Sequence, residues 1–187
     1  MKNNFFSRYI VLSSPSGGGK TTIVRALLDR YTNLQSSVSA TTRPQRAKEV
    51  NGKDYYFLTD QAFRKEMAAG NFLEYEEVHG FFYGTLKKEV DEKVKNGNSI
   101  LFDIDVKGAL SIKKQYPDAI LIFIKVASEE ELRIRLSRRK SETPKSIEKR
   151  LQRLPFEYAQ AKRFDYIVTN DELNKTISEI EHIIIKQ

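Results

Sequence analysis

The sequence predicts an α/β fold with a parallel central sheet. Four apolar segments lack the period-two alternation of half-exposed strands, which is typical of strands covered on both faces. These segments are Tyr9–Ser13, Ile100–Asp103, Ala119–Val126 and Tyr166–Thr169. Helical patterns lie between them, and alternating strands and helices indicate an α/β architecture.

The predicted helices are Lys20–Arg30, Leu86–Asn96, Ser128–Arg139 and Glu172–Lys186. Ser128 and Glu131 have the spacing of a capping box at the start of the third helix. Thr143 followed by Pro144 predicts the start of another helix, because proline is favoured at the first helical position.

The region from Val38 to Tyr83 interrupts this alternation, because it is polar and aromatic. Strand-like segments at Asp54–Leu58 and Phe72–Val78 flank a short helix near Asp60–Ala69. This pattern predicts an insertion with its own small, mostly antiparallel sheet. A second departure is the very basic stretch Arg133–Arg153, which we expect to form two helices and a loop.

The chain has 187 residues, 40% of them hydrophobic and 30% charged, which is typical of one soluble globular domain. It has no cysteine, which excludes disulfides and thiolate metal sites and agrees with a cytoplasmic location. We expect no signal peptide and no membrane span, since no apolar run approaches about 20 residues. The net charge of +7 suggests an anionic partner, and nucleic acid, anionic lipid and nucleotide phosphates all qualify.

The segment S-P-S-G-G-G-K-T, Ser14 to Thr21, follows the first predicted strand and runs into the first helix. It matches the phosphate-binding pattern G-x-x-x-x-G-K-[ST], except that Ser14 stands at the first glycine. The glycines let backbone N–H groups approach phosphate oxygens, and the helix N-terminus favours an anion. Lys20 is suited to reach the β- and γ-phosphates and Thr21 to bind Mg²⁺. The alternative is a flexible glycine-rich turn with a surface lysine.

A second acidic element lies in S-I-L-F-D-I-D, Ser99 to Asp105. Asp103 ends an apolar strand, where such folds carry a metal-binding aspartate. The alternative is a strand-end residue that caps the next helix. Capping is the more natural explanation for Asp105, because a helix is expected to begin near Val106.

The insertion contains S-A-T-T-R-P-Q-R-A-K-E, which brings Arg43 and Arg46 onto one loop. Two guanidinium groups on one loop can grip a phosphate bidentately. Tyr55 and Tyr83 are candidates for additional phenolic donors. The alternative is a solvated basic loop.

Glu74 lies in an apolar strand-like segment, where a carboxylate needs a partner. Guanine carries N1–H and N2–H₂ donors side by side, which match the two oxygens of a carboxylate, whereas adenine has an acceptor at N1. A wrong base would leave the charge unpaired, so a buried carboxylate here would select guanine. The alternative is a salt bridge to one of the many arginines.

Taken together, these segments resemble the guanylate kinase family from about Tyr9 to the C-terminus. The resemblance rests on S-P-S-G-G-G-K-T-T, S-V-S-A-T-T-R-P-Q-R-A-K-E-V-N-G-K-D-Y-Y-F, F-L-E-Y-E-E-V-H-G-F-F-Y-G-T, L-F-D-I-D-V-K-G and V-T-N-D-E-L. It implies a P-loop NTPase three-layer core with a parallel sheet, a small mixed α/β GMP-binding insertion and a helical lid. It also implies Mg²⁺-dependent transfer of the ATP γ-phosphate to GMP, with dGMP as a further expected acceptor, giving ADP and the nucleoside diphosphate.

The resemblance also implies domain boundaries and site residues within a single domain, residues 1–187. We expect the core at 1–37, 88–137 and 160–187, the insertion at 38–87 and the lid at 138–159. The residues expected to act on the transferring phosphate are Lys20, Arg135, Arg139 and Arg150. Those expected to bind ATP are Ser14, Pro15, Ser16, Gly17, Gly18, Gly19, Lys20, Thr21, Thr22 and Asn170. Those expected to bind GMP are Ser39, Arg43, Arg46, Glu49, Tyr55, Glu74, Tyr83, Thr85 and Asp105, and those expected to hold Mg²⁺ are Thr21 and Asp103.

Three positions differ from the usual family pattern. Ser14 replaces the more usual glycine or alanine. Thr85 stands where many members have serine, which keeps the hydroxyl. Lys140 follows Arg139 where the family usually has glycine, a change that bears on the conformation of the lid.

Three rival functions stay open from the sequence. A guanylate-kinase-like scaffold module that binds phosphorylated peptides usually lacks an intact P-loop, whereas Lys20 and Thr21 are present here. A P-loop kinase of another acceptor fits the arginine loop but not Glu74, and an RNA-binding role would use Arg133–Arg153. We expect ATP and GMP as partners, with no nucleic acid as the primary partner and no membrane, and leave homo-oligomer formation open.

Overall fold

The computed structural model describes residues 8–78, 80–138 and 143–185. Its strands are Tyr9–Ser13 (β1), Leu34–Ser36 (β2), Ser39–Thr41 (β3), Tyr56–Phe57 (β4), Phe72–Val78 (β5), Phe81–Leu86 (β6), Ser99–Asp103 (β7), Ile120–Val126 (β8) and Tyr166–Asn170 (β9). Its helices are Lys20–Arg30 (α1), Asp60–Ala68 (α2), Lys87–Lys95 (α3), Val106–Gln115 (α4), Glu129–Ser137 (α5), Pro144–Leu151 (α6), Leu154–Ala161 (α7) and Leu173–Ile184 (α8).

The larger sheet has five strands in the order β2-β7-β1-β8-β9, and every neighbouring pair is parallel. Successive residues of its central strand face opposite sides, and Ile10, Val11 and Leu12 have no exposed surface. Helices α1 and α8 cover one face, whereas α3, α4 and α7 cover the other. This arrangement confirms the predicted three-layer α/β fold and explains the continuous apolar runs, because both sheet faces are buried.

The smaller sheet has four strands in the order β4-β3-β6-β5. Its β3–β6 and β5–β6 pairs are antiparallel, but β3 and β4 are parallel, so the sheet is mixed. Helix α2 packs on it through Phe63, whose ring stacks on Phe72 at 4.3 Å and on Phe82 at 5.3 Å between centroids. This separate aromatic core accounts for the different composition of the insertion.

Strands β2, β3 and β6 were not among the predicted strands. The first two have three residues each, and β6 contains Gly84, so none presents a long apolar or alternating pattern. Gly84 is required by packing, because a Cβ there would lie 2.8 Å from the Glu74 carbonyl oxygen. These strands form through pairing with distant segments rather than through local preference.

Helices α5, α6 and α7 pack together beside the core. The predicted cap at Thr143 is present, since its side chain accepts from the Ser146 N–H and Ser146 reciprocates in a capping box. Ile147 and Leu151 of α6 join Leu132 and Leu136 of α5 in one buried cluster. Helix α5 ends at Ser137, and the predicted residues Arg139 and Lys140 lie outside the described part of the chain, as does Lys186.

Across the described ranges, every helix is too short or too polar to cross a lipid bilayer.

Candidate functional site

The glycine-rich loop lies between β1 and α1, as predicted. Gly17 and Gly19 have φ of 95° and 91°, in the left-handed region that disfavours a side chain. A Cβ on Gly17 would lie 2.9 Å from both Leu132 and Leu136 of α5. The Gly18 N–H donates to the Pro15 carbonyl at 2.9 Å, which closes the turn. Conformation and packing therefore both require glycine in this loop.

Lys20 and Asp103 meet at the carboxyl ends of neighbouring strands β1 and β7. The Lys20 Nζ lies 2.5 Å from Asp103 Oδ1 and donates to the Ile104 carbonyl at 3.0 Å. Both side chains are partly exposed, and both residues line a cavity of about 500 Å³ with the loop residues Ser14 to Thr22. In this arrangement Asp103 provides the countercharge for the P-loop lysine.

Asn170, at the end of β9, fixes the loop from the other side. Its Nδ2 donates to the Gly18 carbonyl at 2.8 Å, and its Oδ1 accepts from Thr176 at 3.2 Å. Arg135 donates to the Asn170 carbonyl at 3.0 Å and pairs with Glu131. Both polar atoms of the Asn170 side chain are thus engaged within the protein, one by the Gly18 carbonyl and the other by the Thr176 hydroxyl.

The helices α6 and α7 bring further charge to the cavity. Arg150 donates a hydrogen bond to the Ser16 hydroxyl, and Arg153 lies 3.9 Å from Asp105. Glu157 of α7 also lines the cavity and is only 9% exposed. Burial raises the pKa of Glu157 to about 7, against the lowering effect of Arg153. Arg153 and Glu157 were not predicted as site residues, since only packing brings them to the loop.

The donor atoms at this end fit Mg²⁺. Thr21 offers a hydroxyl and Asp103 a carboxylate, which are the oxygen ligands that this hard cation prefers. Within residues 8–78, 80–138 and 143–185, His, Cys, Asp and Glu form no cluster of three or more that is arranged to hold a metal. This sparse set fits Mg²⁺, which usually takes its other ligands from water and substrate phosphates.

The second part of the site is a row of polar side chains across the smaller sheet. Ser39 on β3 is paired with Thr85 on β6, and Thr85 is paired with Glu74 on β5. The Thr85 hydroxyl donates to Glu74 Oε1 at 2.7 Å. Three residues that are far apart in sequence therefore converge through strand register.

Glu74 faces the first turn of α4, a helix that packs on one face of the larger sheet. A Cβ on Gly108 would lie 3.0 Å from Glu74 Oε2, so this glycine permits the close approach. Burial raises the pKa of Glu74 to about 7, and the nearby Asp105 and Glu76 carboxylates act in the same direction. The hydrogen bond from Thr85 opposes this rise. Among the described residues, Glu74 makes no salt bridge to an arginine, which removes the main alternative explanation for this carboxylate.

The predicted arginine loop is organised by Glu49. Arg43 Nη2 donates to Glu49 Oε1 at 2.7 Å, and the Arg46 N–H donates to Glu49 Oε2 at 2.9 Å. The hydrogen bond from Arg43 is the largest cause of the lowered pKa of Glu49. The Arg46 side chain is exposed, whereas the Arg43 guanidinium is largely covered. Glu49 therefore shapes the loop that carries both arginines.

Two tyrosines connect this loop to the rest of the site. Tyr55 has its ring 5.4 Å from the Arg43 guanidinium carbon and 6.1 Å from the ring of Tyr83. The hydrogen bond to Glu49 is the largest cause of the raised pKa of Arg43, and Tyr83 contributes in the same direction. Because Tyr55 lines the same cavity as the glycine-rich loop, the arginine loop and the P-loop face one cleft.

Asp105 stands where the two parts of the site meet. It caps α4 by accepting from the N–H groups of Lys107 and Gly108 at 3.0 and 2.9 Å. Burial alone would raise the pKa of Asp105, but hydrogen bonds from Glu76 and the Gly108 N–H lower it below its ordinary value. Glu76 was not predicted as a site residue, although its position two residues after Glu74 places it on the same strand face.

The chain is similar to known proteins over most of its length. The guanylate kinase family model matches residues 6–187. A guanylate kinase of Chlorobaculum tepidum is 44% identical over 92% of this chain and 89% of its own length. One from Thermotoga maritima is 40% identical over 98% of this chain and 87% of its own length.

Solved structures agree with this result. The crystal structure of guanylate kinase from Anaplasma phagocytophilum aligns with a TM-score of 0.76 and 34% identity over 95% of this chain and 84% of that one. A shikimate kinase from Bacteroides thetaiotaomicron aligns with a TM-score of 0.53 at 12% identity over 94% of this chain and 96% of that one, a likeness of fold alone. The chain belongs to the guanylate kinase family.

Proposed function

We propose that this protein transfers the γ-phosphate of ATP to GMP, giving ADP and GDP. The observation that carries the proposal is one cleft lined by the P-loop and by Tyr55, whose ring contacts the Arg43 guanidinium. The Ser39, Thr85 and Glu74 row provides the base-reading part of the acceptor site. Membership of the guanylate kinase family supports the same assignment.

In the proposed reaction, the P-loop binds the ATP phosphates through its backbone N–H groups and Lys20. Lys20 already lies in the cavity, paired with Asp103, so its charge is positioned before ATP arrives. Thr21 and Asp103 would hold Mg²⁺, which would supply neutralisation of phosphate charge. Arg135 and Arg150 are proposed to contact the transferring phosphate, and their present contacts to Asn170 and Ser16 keep them beside the loop.

GMP is proposed to bind with its phosphate at Arg43, Arg46, Tyr55 and Tyr83. Its base would lie against Ser39, Glu74, Thr85 and Asp105. The Glu74 carboxylate would accept from guanine N1–H and N2–H, and the Thr85 hydroxyl that now donates to it keeps it in place. Adenine would bring an acceptor rather than a donor to this buried carboxylate, which would leave the charge unpaired.

Phosphoryl transfer here needs positioning and neutralisation of charge more than a general base. The acceptor oxygen of GMP is already anionic near neutral pH, since the second pKa of a phosphate monoester is about 6. The two anionic substrates repel each other, and the cluster of Lys20 and arginines offsets that repulsion. Closure of the insertion and of the lid at 138–159 over both nucleotides is proposed to exclude water and suppress ATP hydrolysis.

Finer points belong to the same proposal. The expected boundaries of core, insertion and lid define the parts that move. dGMP is proposed as a further acceptor, since it carries the same base and phosphate that the proposed contacts bind. A cytoplasmic location and the action of Arg139 on the transferring phosphate stay predictions, and homo-oligomer formation stays open.

A coupled ADP-release assay tests the proposal. We expect turnover with ATP, Mg²⁺ and GMP, a high rate with dGMP, and far lower kcat/KM with AMP and UMP. IMP, which lacks the 2-amino group, should be a poorer acceptor than GMP. ADP release that does not depend on any added monophosphate would contradict the proposal, and equal rates with AMP and GMP would contradict guanine selection.

A further inference from the structure

Glu76 and Lys107 form an ion pair that joins the smaller sheet to the core. Lys107 Nζ lies 2.6 Å from Glu76 Oε1. Glu76 belongs to β5 of the insertion, whereas Lys107 lies in the first turn of α4. The Glu76 side chain is 24% exposed and that of Lys107 is 56% exposed, so the carboxylate is the more enclosed partner.

The residues around this ion pair are the ones proposed to bind the guanine base and the phosphate of GMP. Glu74 precedes Glu76 by two residues on the same face of β5, and Tyr83 is its cross-strand neighbour on β6. Asp105 is within hydrogen-bonding distance of Glu76, and the neighbouring Gly108 allows Glu74 to approach α4. The wall of the site is thus composed of β5 and the first turn of α4, which belong to different layers.

The burial of the Glu76 carboxylate costs folding free energy. Its Oε2 is buried and accepts no hydrogen bond within the described ranges, and burial together with the neighbouring Asp105 carboxyl raises the pKa of Glu76. Two carboxyl groups side by side in a partly buried place destabilise the ionised state, and Lys107 offsets this through one Glu76 oxygen. A small residue at this position would avoid that cost. The ion pair is therefore better explained by the relative position in which it holds β5 and α4 than by a contribution to stability.

We propose that Glu76, through Lys107, is a positioning residue for GMP: the ion pair holds β5 against the first turn of α4 so that Glu74 and Asp105 form one base-binding wall. This inference rests on the proposed function, because it concerns the acceptor site of that reaction. The pair acts on GMP binding and not on the P-loop, which lies between β1 and α1.

The test combines Glu76→Gln and Lys107→Met with the conservative variant Lys107→Arg. Glu76→Gln and Lys107→Met should each raise the KM and Kd for GMP by about fivefold, a size between those of exposed and buried ion pairs. The kcat at saturating GMP and the KM for ATP should stay unchanged. Lys107→Arg should retain the wild-type KM, since it keeps a cation at this position. The double variant should be no worse than the more impaired single variant, because both changes remove one interaction.

Lys175→Met is the matched control, because Lys175 of α8 forms an ion pair at 2.7 Å with Glu172, the N-cap residue of the same helix, and this pair joins no separate layers. This variant should have the wild-type kcat, the wild-type KM for ATP, and the wild-type KM and Kd for GMP. Unchanged GMP affinity in Glu76→Gln and Lys107→Met would overturn the inference, as would equal losses in GMP and ATP affinity with a lowered Tm. Additive losses in the double variant would overturn the pairwise role. Failure of the wild-type protein to turn over GMP would instead refute the proposed function, so the two failures are distinguishable.

Discussion

The donor and acceptor parts of the cleft are constructed in different ways. The donor loop uses contiguous residues, Ser14 to Thr22, and relies on backbone N–H groups and two glycines with positive φ. The acceptor part uses side chains from β3, β5, β6 and the Arg43 loop, with α4 of the core as its wall. One is a local backbone conformation, and the other is assembled by strand pairing.

This difference explains what each part can recognise. Backbone N–H groups at a helix N-terminus bind phosphate well but do not distinguish one base from another. A buried carboxylate discriminates strongly, because a mismatched ligand leaves its charge without a partner. We therefore expect changes in the donor loop to affect the chemical step, and changes in the acceptor row to affect which monophosphate reacts.

The largest expected effect tests the donor part. Lys20→Met removes the charge that lies beside Asp103 and lines the cavity, and should lower kcat by about 10³-fold, in the range for loss of one transition-state donor. The preference for GMP over AMP should survive. Steady-state rates with both acceptors measure this, with Lys88→Met as a surface control on α3. A changed acceptor preference would break the proposed division between the two parts.

A smaller effect is expected from the acceptor part. Glu74→Gln leaves one acceptor oxygen and adds an N–H₂ donor, so it should lower kcat/KM for GMP by about 10²-fold. The KM for ATP should change little, since Glu74 lies on the smaller sheet. Comparing GMP, IMP and AMP measures the loss of discrimination. An intact preference for GMP would mean that another group reads the base.

The smallest effect concerns pH. The pKa of Glu74 is raised to about 7 by burial, and GMP is expected to bind its ionised form. As pH falls below 7 a growing fraction is protonated, so the KM for GMP should rise by about tenfold from pH 8 to pH 6. Glu74→Gln should lack most of this dependence, whereas the second ionisation of the GMP phosphate affects both proteins equally. Parallel profiles for the two proteins would contradict the assignment.

Local signals in the sequence predicted much of the core and all of the donor loop. The buried strands, the Thr143 cap and the positions of α1 and α2 follow from patterns within a few residues. The predicted ends were shifted by one or two residues, as for Leu86–Asn96 against Lys87–Lys95. Strands β2, β3 and β6 were missed because long-range pairing, and not local preference, makes them strands.

For the acceptor part, the sequence predicted the chemistry of the binding residues but not the contacts that hold them in place. The apolar setting of Glu74 and the paired arginines predicted a site for guanine and a phosphate, as in GMP. No sequence spacing indicates that Glu49 orders the Arg43 loop, that Asn170 holds the Gly18 carbonyl, or that Glu157 enters the cavity. Each of these contacts joins residues from different elements or depends on a loop conformation.

The sequence by itself determined the chemistry: a phosphate loop with its lysine, a strand-end aspartate, an arginine pair and a carboxylate in an apolar strand. Only the tertiary structure decided how these groups share one cleft. Strand register aligned Ser39, Thr85 and Glu74, and the packing of β5 on α4 brought Asp105 and Glu76 beside them. The physical reason is that side-chain identity and backbone turns are encoded within a few residues, whereas distances between layers depend on the packing of the whole chain.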